Sequence, residues 1–262
     1  MKKSNHTFAV LAYKNSPFLE DCLISLKNQT IPSKIVITTS TPSAFIDKLA
    51  QQYNLSVLVN SKSEGIASDW SFAYENCDTK YITLAHQDDL YLKEYTEKCV
   101  NTVGDALIVF TDYFEMVNRK IRGFSFLISV KRLILLPFFF VNGQITHTLV
   151  KNLLLCLGNP ICCPTILYNK EKIGFFEFDR SFSMNLDWEA TLRLARMKGF
   201  LKYINYKLLI RRLHPGSETT NALSSNKRQF EDRLMVTKLW PKALANVFLK
   251  LYSFSYRFND DL

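Results

Sequence analysis

The chain has 262 residues, 47% of them hydrophobic, and a formal net charge of +9. That apolar share supports a substantial core and excludes a disordered chain, and the length suits one large α/β domain with embellishments or two small ones. The positive balance favours an anionic partner: a nucleotide, a lipid headgroup surface or a nucleic acid.

The opening MKKSNHTFAVLAYKNS places two lysines before an apolar segment, but Phe8 to Tyr13 is too short for a signal-peptide core. The segment Thr7 to Tyr13 therefore reads as the first strand. Pro17 to Gln29 has helical spacing, with Leu19, Leu23 and Leu26 on one face and Pro17 at its start. Lys34 to Ser40 is a second strand, and Ser43 to Tyr53 a second helix with Ser43 as its N-cap. Leu55 to Asn60 is a third strand, Ile66 to Asn76 a third helix, and Tyr81 to His86 a fourth strand. Strands alternating with helical patterns predict βαβ crossovers and a mostly parallel sheet, with ligands over the C-terminal strand ends. Neither GxGxxG nor GxxxxGK[ST] occurs, which argues against a dinucleotide dehydrogenase or a P-loop enzyme.

Beyond Asp89 the pattern changes. Lys93 to Val103 reads as a helix and Ala106 to Val117 as a long strand followed by a basic turn, Asn118 to Arg122. Phe124 to Leu157 is apolar, aromatic and of mixed periodicity; it reads as helical, and Phe138, Phe139 and Phe140 read as core packing, with facing a lipid carrier or stacking on sugars as the alternative. Its longest apolar run, Leu133 to Val141, contains Pro137 and is far shorter than the ~20 residues of a membrane span. Cys162 to Tyr168 resembles a strand. Glu189 to Lys198 is a helix closed by Gly199, and Leu201 to Arg212 a strand. His214 to Ser225 is a polar loop, and the remainder is helical and basic. Six cysteines without a CxxC pair read as buried thiols rather than a zinc site or disulfide framework.

Chemistry concentrates at four places. Asp88 and Asp89 follow the fourth strand, where two hard oxygen ligands can hold Mg²⁺ or Mn²⁺, or simply start the next helix. Asn60 opens a polar loop after the third strand. Asp187 and Glu189 stand at a helix start, where an N-cap is the alternative to a catalytic carboxylate. Arg212 and His214 end a late strand; a surface arginine and a loop histidine are the alternatives.

In that order, FAVLAYKNSPFLEDCLISLKNQT, VNSKSEGIASDWSFAYENC, HQDDLY, LDWEATLRL and RRLHPGS resemble segments of the family 2 glycosyltransferases, from Thr7 to about Ser217. The resemblance implies a GT-A fold: a mostly parallel central sheet flanked by helices over 1–225, with a nucleotide-binding half to about 105, an acceptor half beyond it, and a helical extension over 226–262. It implies an enzyme that transfers a sugar, usually with inversion, from a nucleotide-sugar donor (UDP or dTDP favoured) to a saccharide or lipid-linked saccharide. In this reading Asp89 is the main ligand of a divalent metal, His214 a late ligand, and Asp88 contacts ribose or metal-bound water. Asn60, Asp69 and Arg212 complete the donor site, with Arg212 facing the diphosphate. Asp187 is the catalytic base and Glu189 the fallback. The sequence departs from the pattern at His86-Gln87, where a strict D-x-D has its first Asp, and at Asp69-Trp70, where many relatives carry Arg-Asn.

The alternative is a catalytically silent relative that binds nucleotide-sugar or glycan as a module. A nucleic-acid binder is disfavoured because the positive charge is dispersed. The C-terminal run KLWPKALANVFLKLYSF places Leu239, Trp240, Ala243, Leu244, Val247, Phe248 and Leu251 on one stripe, with Lys238, Lys242 and Lys250 elsewhere. It reads as core packing, with peripheral contact to an anionic membrane as the second possibility. The expected setting is bacterial polysaccharide biosynthesis, in the cytoplasm or at the inner face of its membrane.

Overall fold

The structure is a computed structural model that describes residues 4–214, 226–241, 243–245 and 248–249. Its first half alternates as the apolar pattern requires. Strands β1 (His6–Ala12), β2 (Lys34–Thr39), β3 (Ser56–Val59) and β4 (Tyr81–His86) are separated by helices α1 (Leu19–Lys27), α2 (Ala44–Gln52) and α3 (Ile66–Glu75). They lie in the order β3-β2-β1-β4, all parallel. β1 is central, and Phe8, Ala9 and Val10 are fully buried, as expected of a strand covered on both faces. Ser43 caps α2, its Oγ accepting from the Ile46 amide at 3.3 Å.

The second half comprises β5 (Leu90–Tyr91), α4 (Tyr95–Thr102), β6 (Ile108–Val117), β7 (Lys120–Ile121), α5 (Phe126–Ile134), β8 (Gln144–Ile145), α6 (Thr148–Leu155), β9 (Leu167–Asn169), α7 (Lys170–Ile173), α8 (Leu186–Arg196), β10 (Leu201–Leu213) and α9 (Asn226–Leu239). The sheet continues from β4 as β9-β6-β10-β5, with β7 on β6 and β8 on β10. β9 runs antiparallel to both β4 and β6 and joins the halves; β6 and β10 are parallel. β10 is irregular, shifting register between Ile204 and Lys207 and again between Lys207 and Leu209.

One core, around Phe8, Leu19, Leu23 and Tyr95, lies under α1, α2 and α4. The other gathers Trp70, Tyr74, Tyr168 and Trp188, and Met235 of α9 is fully buried within it.

Several expectations change. Of the Cys162 to Tyr168 segment only Leu167 and Tyr168 are strand, because Cys163–Thr165 forms a 3-10 turn and Pro164 has no N–H for a ladder. Phe124 to Leu157 divides into α5, a 3-10 turn at Leu136–Val141 with Pro137 at its start, β8 and α6. Phe138 is buried in the core, but Phe139 and Phe140 are exposed. Helix α8 begins at Leu186 with Asn185 at its N-cap, and Gly199 (φ 132) lies two residues past the C-cap Met197, so it is not the C′ residue. The C-terminal helical run is interrupted: α9 stops at Leu239, just before Pro241, and Trp240 donates through Nε1 to the Cys156 carbonyl at 2.9 Å and stacks on Phe248. Lys242, Val247, Lys250 and Leu251, and the loop from Pro215 to Ser225 with Ser217, lie outside the described residues. All six cysteines are free. Among the described residues no helix is long and apolar enough to cross a membrane.

Candidate active site

A cleft of about 750 Å³ opens over the C-terminal ends of β1, β2, β3 and β4 and extends to the N-terminus of α8 and the end of β10. This is where a parallel sheet leaves room for a ligand. Asn60, Asp69, Asp88, Asp89, Asp187 and Arg212 all line it.

At one end Asn60, 7% exposed, donates through Nδ2 to Asp69 Oδ1 at 2.8 Å, while Ser40 donates to Asp69 Oδ2 at 2.7 Å. The Asp69 carboxylate is thus held by donors from the ends of β2 and β3. Gly65, at the N-cap of α3, adopts φ 105, a left-handed conformation that side chains resist. It lets the chain turn into α3 and present Asp69 in its first turn.

In the centre, the apolar run of β4 ends and His86 to Asp89 turn across the sheet. The Gln87 side-chain amide pairs both ways with Tyr13, accepting from its N–H at 3.0 Å and donating to its carbonyl at 3.1 Å. Gln87 therefore fastens the β4 end to the β1 end. His86 packs on Trp70; burial pulls its imidazole down to about 4, and its Nε2 has no hydrogen-bond partner among the described residues. Asp88 accepts from Ser16 at 3.0 Å, and its Oδ2 is 3.3 Å from His214 Nε2. Asp89 is buried and accepts from the Arg212 backbone N–H at 3.0 Å. Burial pushes the Asp89 carboxyl up to about 7, against the opposing pull of Arg211.

The structure thus sets Asp88, rather than Asp89, against His214. The pair fits a divalent ion: a carboxylate oxygen and an imidazole nitrogen stand side by side, with Asp89 next in sequence. Among the described residues no three His, Cys, Asp or Glu side chains converge as a closed site, so phosphate oxygens and water would complete the coordination.

At the far end Asp187 lies in the first turn of α8. It accepts from the Trp188 amide at 2.8 Å and from Asn159 at 3.2 Å, and burial raises its pKa against the opposing charge of Lys131. A raised carboxyl near the cleft is the electrostatic form of a general base. Helix α9 positions this turn. The fully buried Glu231 carboxylate accepts from the amides of Ser183, Met184 and Asn185 and from the Ser183 hydroxyl, at 2.8–3.1 Å.

The side chains of two expected residues are held by other contacts. Glu189 is 3% exposed, bonded to Arg193 at 2.8 Å and to Lys238 at 3.3 Å; it ties α8 to α9 and does not line the cleft. The Arg212 guanidinium donates to Asp21 at 2.8 Å and lies over the Phe18 ring, so its side chain is held by α1. Two cations missed in the sequence line the cleft as well. Arg211 is the register partner of Glu115 and lies 3.7 Å from its carboxylate. Lys131, from α5, acts electrostatically on Asp187 and lines the same space.

Comparison with known proteins defines the class. The family model "Glycosyl transferase family 2" matches residues 7–170. The fold matches solved structures: S. aureus TarS 1–349 in complex with UDP-GlcNAc, at 12% identity and TM-score 0.61, covering 97% of this chain and 72% of that one. It also matches the mannosyltransferase PcManGT from Pyrobaculum calidifontis in complex with GDP-Man and Mn²⁺, at 11% identity and TM-score 0.62, covering 96% and 70%. Against the longer S. aureus TarS chain, at 13% identity and TM-score 0.59, 94% of this chain aligns with 42% of that one. No curated protein sequence matches this chain. The protein is a GT-A glycosyltransferase. It belongs to glycosyl transferase family 2.

Proposed function

We propose that the cleft binds a nucleotide-sugar, with UDP or dTDP favoured, and transfers its sugar with inversion to a saccharide or lipid-linked saccharide. The observation that carries this reading is the shared space: the Asp88–Asp89 pair at the end of β4 and Asp187 at the start of α8 face one cleft, with cations between them. Asn60, Asp69 and Ser40 form a polar end suited to the base and ribose. Asp88 and His214 would hold Mn²⁺ or Mg²⁺, which when bound supplies Lewis-acid stabilisation of the leaving diphosphate, while Asp89 fixes the turn beside them through the Arg212 amide. Arg211 and Lys131 add fixed positive charge beside that diphosphate, stronger here than in water because the site is buried. Asp187 takes the proton of the acceptor hydroxyl as it attacks the anomeric carbon. The protein would work in the cytoplasm, at or near the inner face of a bacterial membrane, with its C-terminal segment as one membrane contact.

The test has two parts. Thermal stability against a panel of nucleoside diphosphates, with and without Mn²⁺, reads donor class and metal dependence through mass action. Asp187→Asn should lower transfer by roughly 10²–10⁴-fold while the shift with nucleotide persists. Full turnover in Asp187→Asn would overturn the assignment of the base. Nucleotide binding without any transfer by the parent would favour a silent module.

A further inference from the structure

Between Glu115 and Glu171 the sequence has no acidic residue, but it holds seven lysines and arginines. Of these, Arg119 and Lys120 are exposed, while Lys131 lines the cleft, Arg132 pairs with Asp112, and Lys151 is fully buried. The stretch also carries several large apolar side chains left outside the core. Phe140 is 85% exposed, Phe124 73% and Leu133 64%. Phe126, Val130 and Leu133 recur at helical spacing along α5 and are all exposed, while Ile128 and Leu135 bury the opposite side. Phe139 and Phe140 extend this face through the turn that follows α5. Arg119 and Lys120 stand exposed in the β6–β7 turn, a few residues before Phe124.

An exposed apolar face of this size is unusual on a protein that meets only water. Its composition selects among occupants. A partner protein or a second copy would be expected to meet some acidic residues here, whereas an anionic bilayer needs aromatic and aliphatic side chains at headgroup depth, cations at the rim and no carboxylates nearby. We propose that α5 and the turn after it, from Phe124 to Val141, form a docking surface for an anionic lipid bilayer, with Arg119 and Lys120 as its electrostatic rim. This surface is independent of what the cleft transfers. Because α5 also contributes Lys131 to the cleft wall, docking would bring the Asp187 end of the cleft close to the lipid headgroups.

The test uses the full chain and co-sedimentation with vesicles of phosphatidylglycerol or of phosphatidylcholine. The parent should bind the first and not the second, with binding that weakens as salt rises. Phe124→Ser combined with Phe140→Ser should weaken binding roughly tenfold or more, and Lys120→Glu should weaken it and flatten the salt dependence. Both changes fall on exposed side chains, so melting temperature and nucleotide-induced stabilisation should not move. The proposal fails if the parent ignores phosphatidylglycerol vesicles. It fails equally if the double variant binds them as the parent does, or if that variant instead abolishes self-association of a parent that binds no vesicle.

Discussion

The Glu231 carboxylate is the sharpest target for a perturbation outside the cleft. It accepts from three consecutive backbone amides and one hydroxyl just before α8. Glu231→Gln keeps the shape but replaces one acceptor oxygen with an NH₂ group that faces donors. Hydrogen bonds to a charged acceptor contribute about 1.5–3 kcal/mol each and neutral ones about 0.5–1.5, and a buried donor left without an acceptor costs about 1–3. Weakening several bonds and orphaning one donor gives a loss of roughly 3–5 kcal/mol, which for a chain of this size is a fall in Tm of roughly 10 °C. The same loosening frees the turn that carries Asp187. At a temperature where the variant is folded, kcat should therefore fall more than donor KM rises, because the end of the cleft proposed to hold the donor, at Asn60 and Asp69, is built on other elements. Thermal unfolding by circular dichroism and steady-state transfer assays read both effects. A variant that melts within about 2 °C of the parent would refute the role given to this carboxylate.

Asp232 gives a pH prediction. Its carboxyl is buried, accepts from Asn185 at 2.7 Å, and is pushed up to about 6 by burial. Below the unfolded value near 4 both states are protonated and the group is neutral in effect; as pH rises through 4 to 6 the unfolded chain ionises first, so stability falls and then levels off above 6. Asp232→Asn should remove this cost, gaining nothing at pH 4 and roughly 2–3 kcal/mol at pH 7, as urea titrations at the two pH values would show; an equal effect at both would contradict it. Lys131→Gln should weaken nucleoside diphosphate binding roughly tenfold, about the value of one charge-assisted hydrogen bond, measurable by isothermal titration. Unchanged affinity would remove Lys131 from the phosphate site.

The first half of the fold was legible because each strand is a short apolar run and each helix has its own periodicity and cap, as at Ser43. Asp88 and Asp89 were visible as candidates because they stand where a strand pattern ends, and Asp187 because it stands where a helical pattern begins. Arg211 was missed because neighbours on a strand point to opposite faces, and choosing between Arg211 and Arg212 requires the register of β10 on β6. Lys131 sat in a stretch whose periodicity is mixed, where a lone cation reads as an interruption. Glu189 had a visible signal against a catalytic role, since Arg193 follows it at the i,i+4 spacing of a helix ion pair. Glu231 had none: its partners lie nearly fifty positions earlier, and nothing local in α9 announces a contact of that range.

The irregularity in β10 has a consequence for how this cleft can vary. Between Ile204 and Leu209 the strand advances five positions while β6 advances two, from Thr111 to Tyr113. An odd surplus reverses the alternation of faces beyond it. The arginine that meets Glu115 is thus chosen by the length of a short segment near its middle. Removing one residue there would bring Arg212 opposite Glu115 and Arg211 opposite Phe114, changing which arginine stands at the Glu115 position. Insertions and deletions at this point, more than substitutions in the cleft, are a route by which a chain of this design could change the charge it presents to a donor.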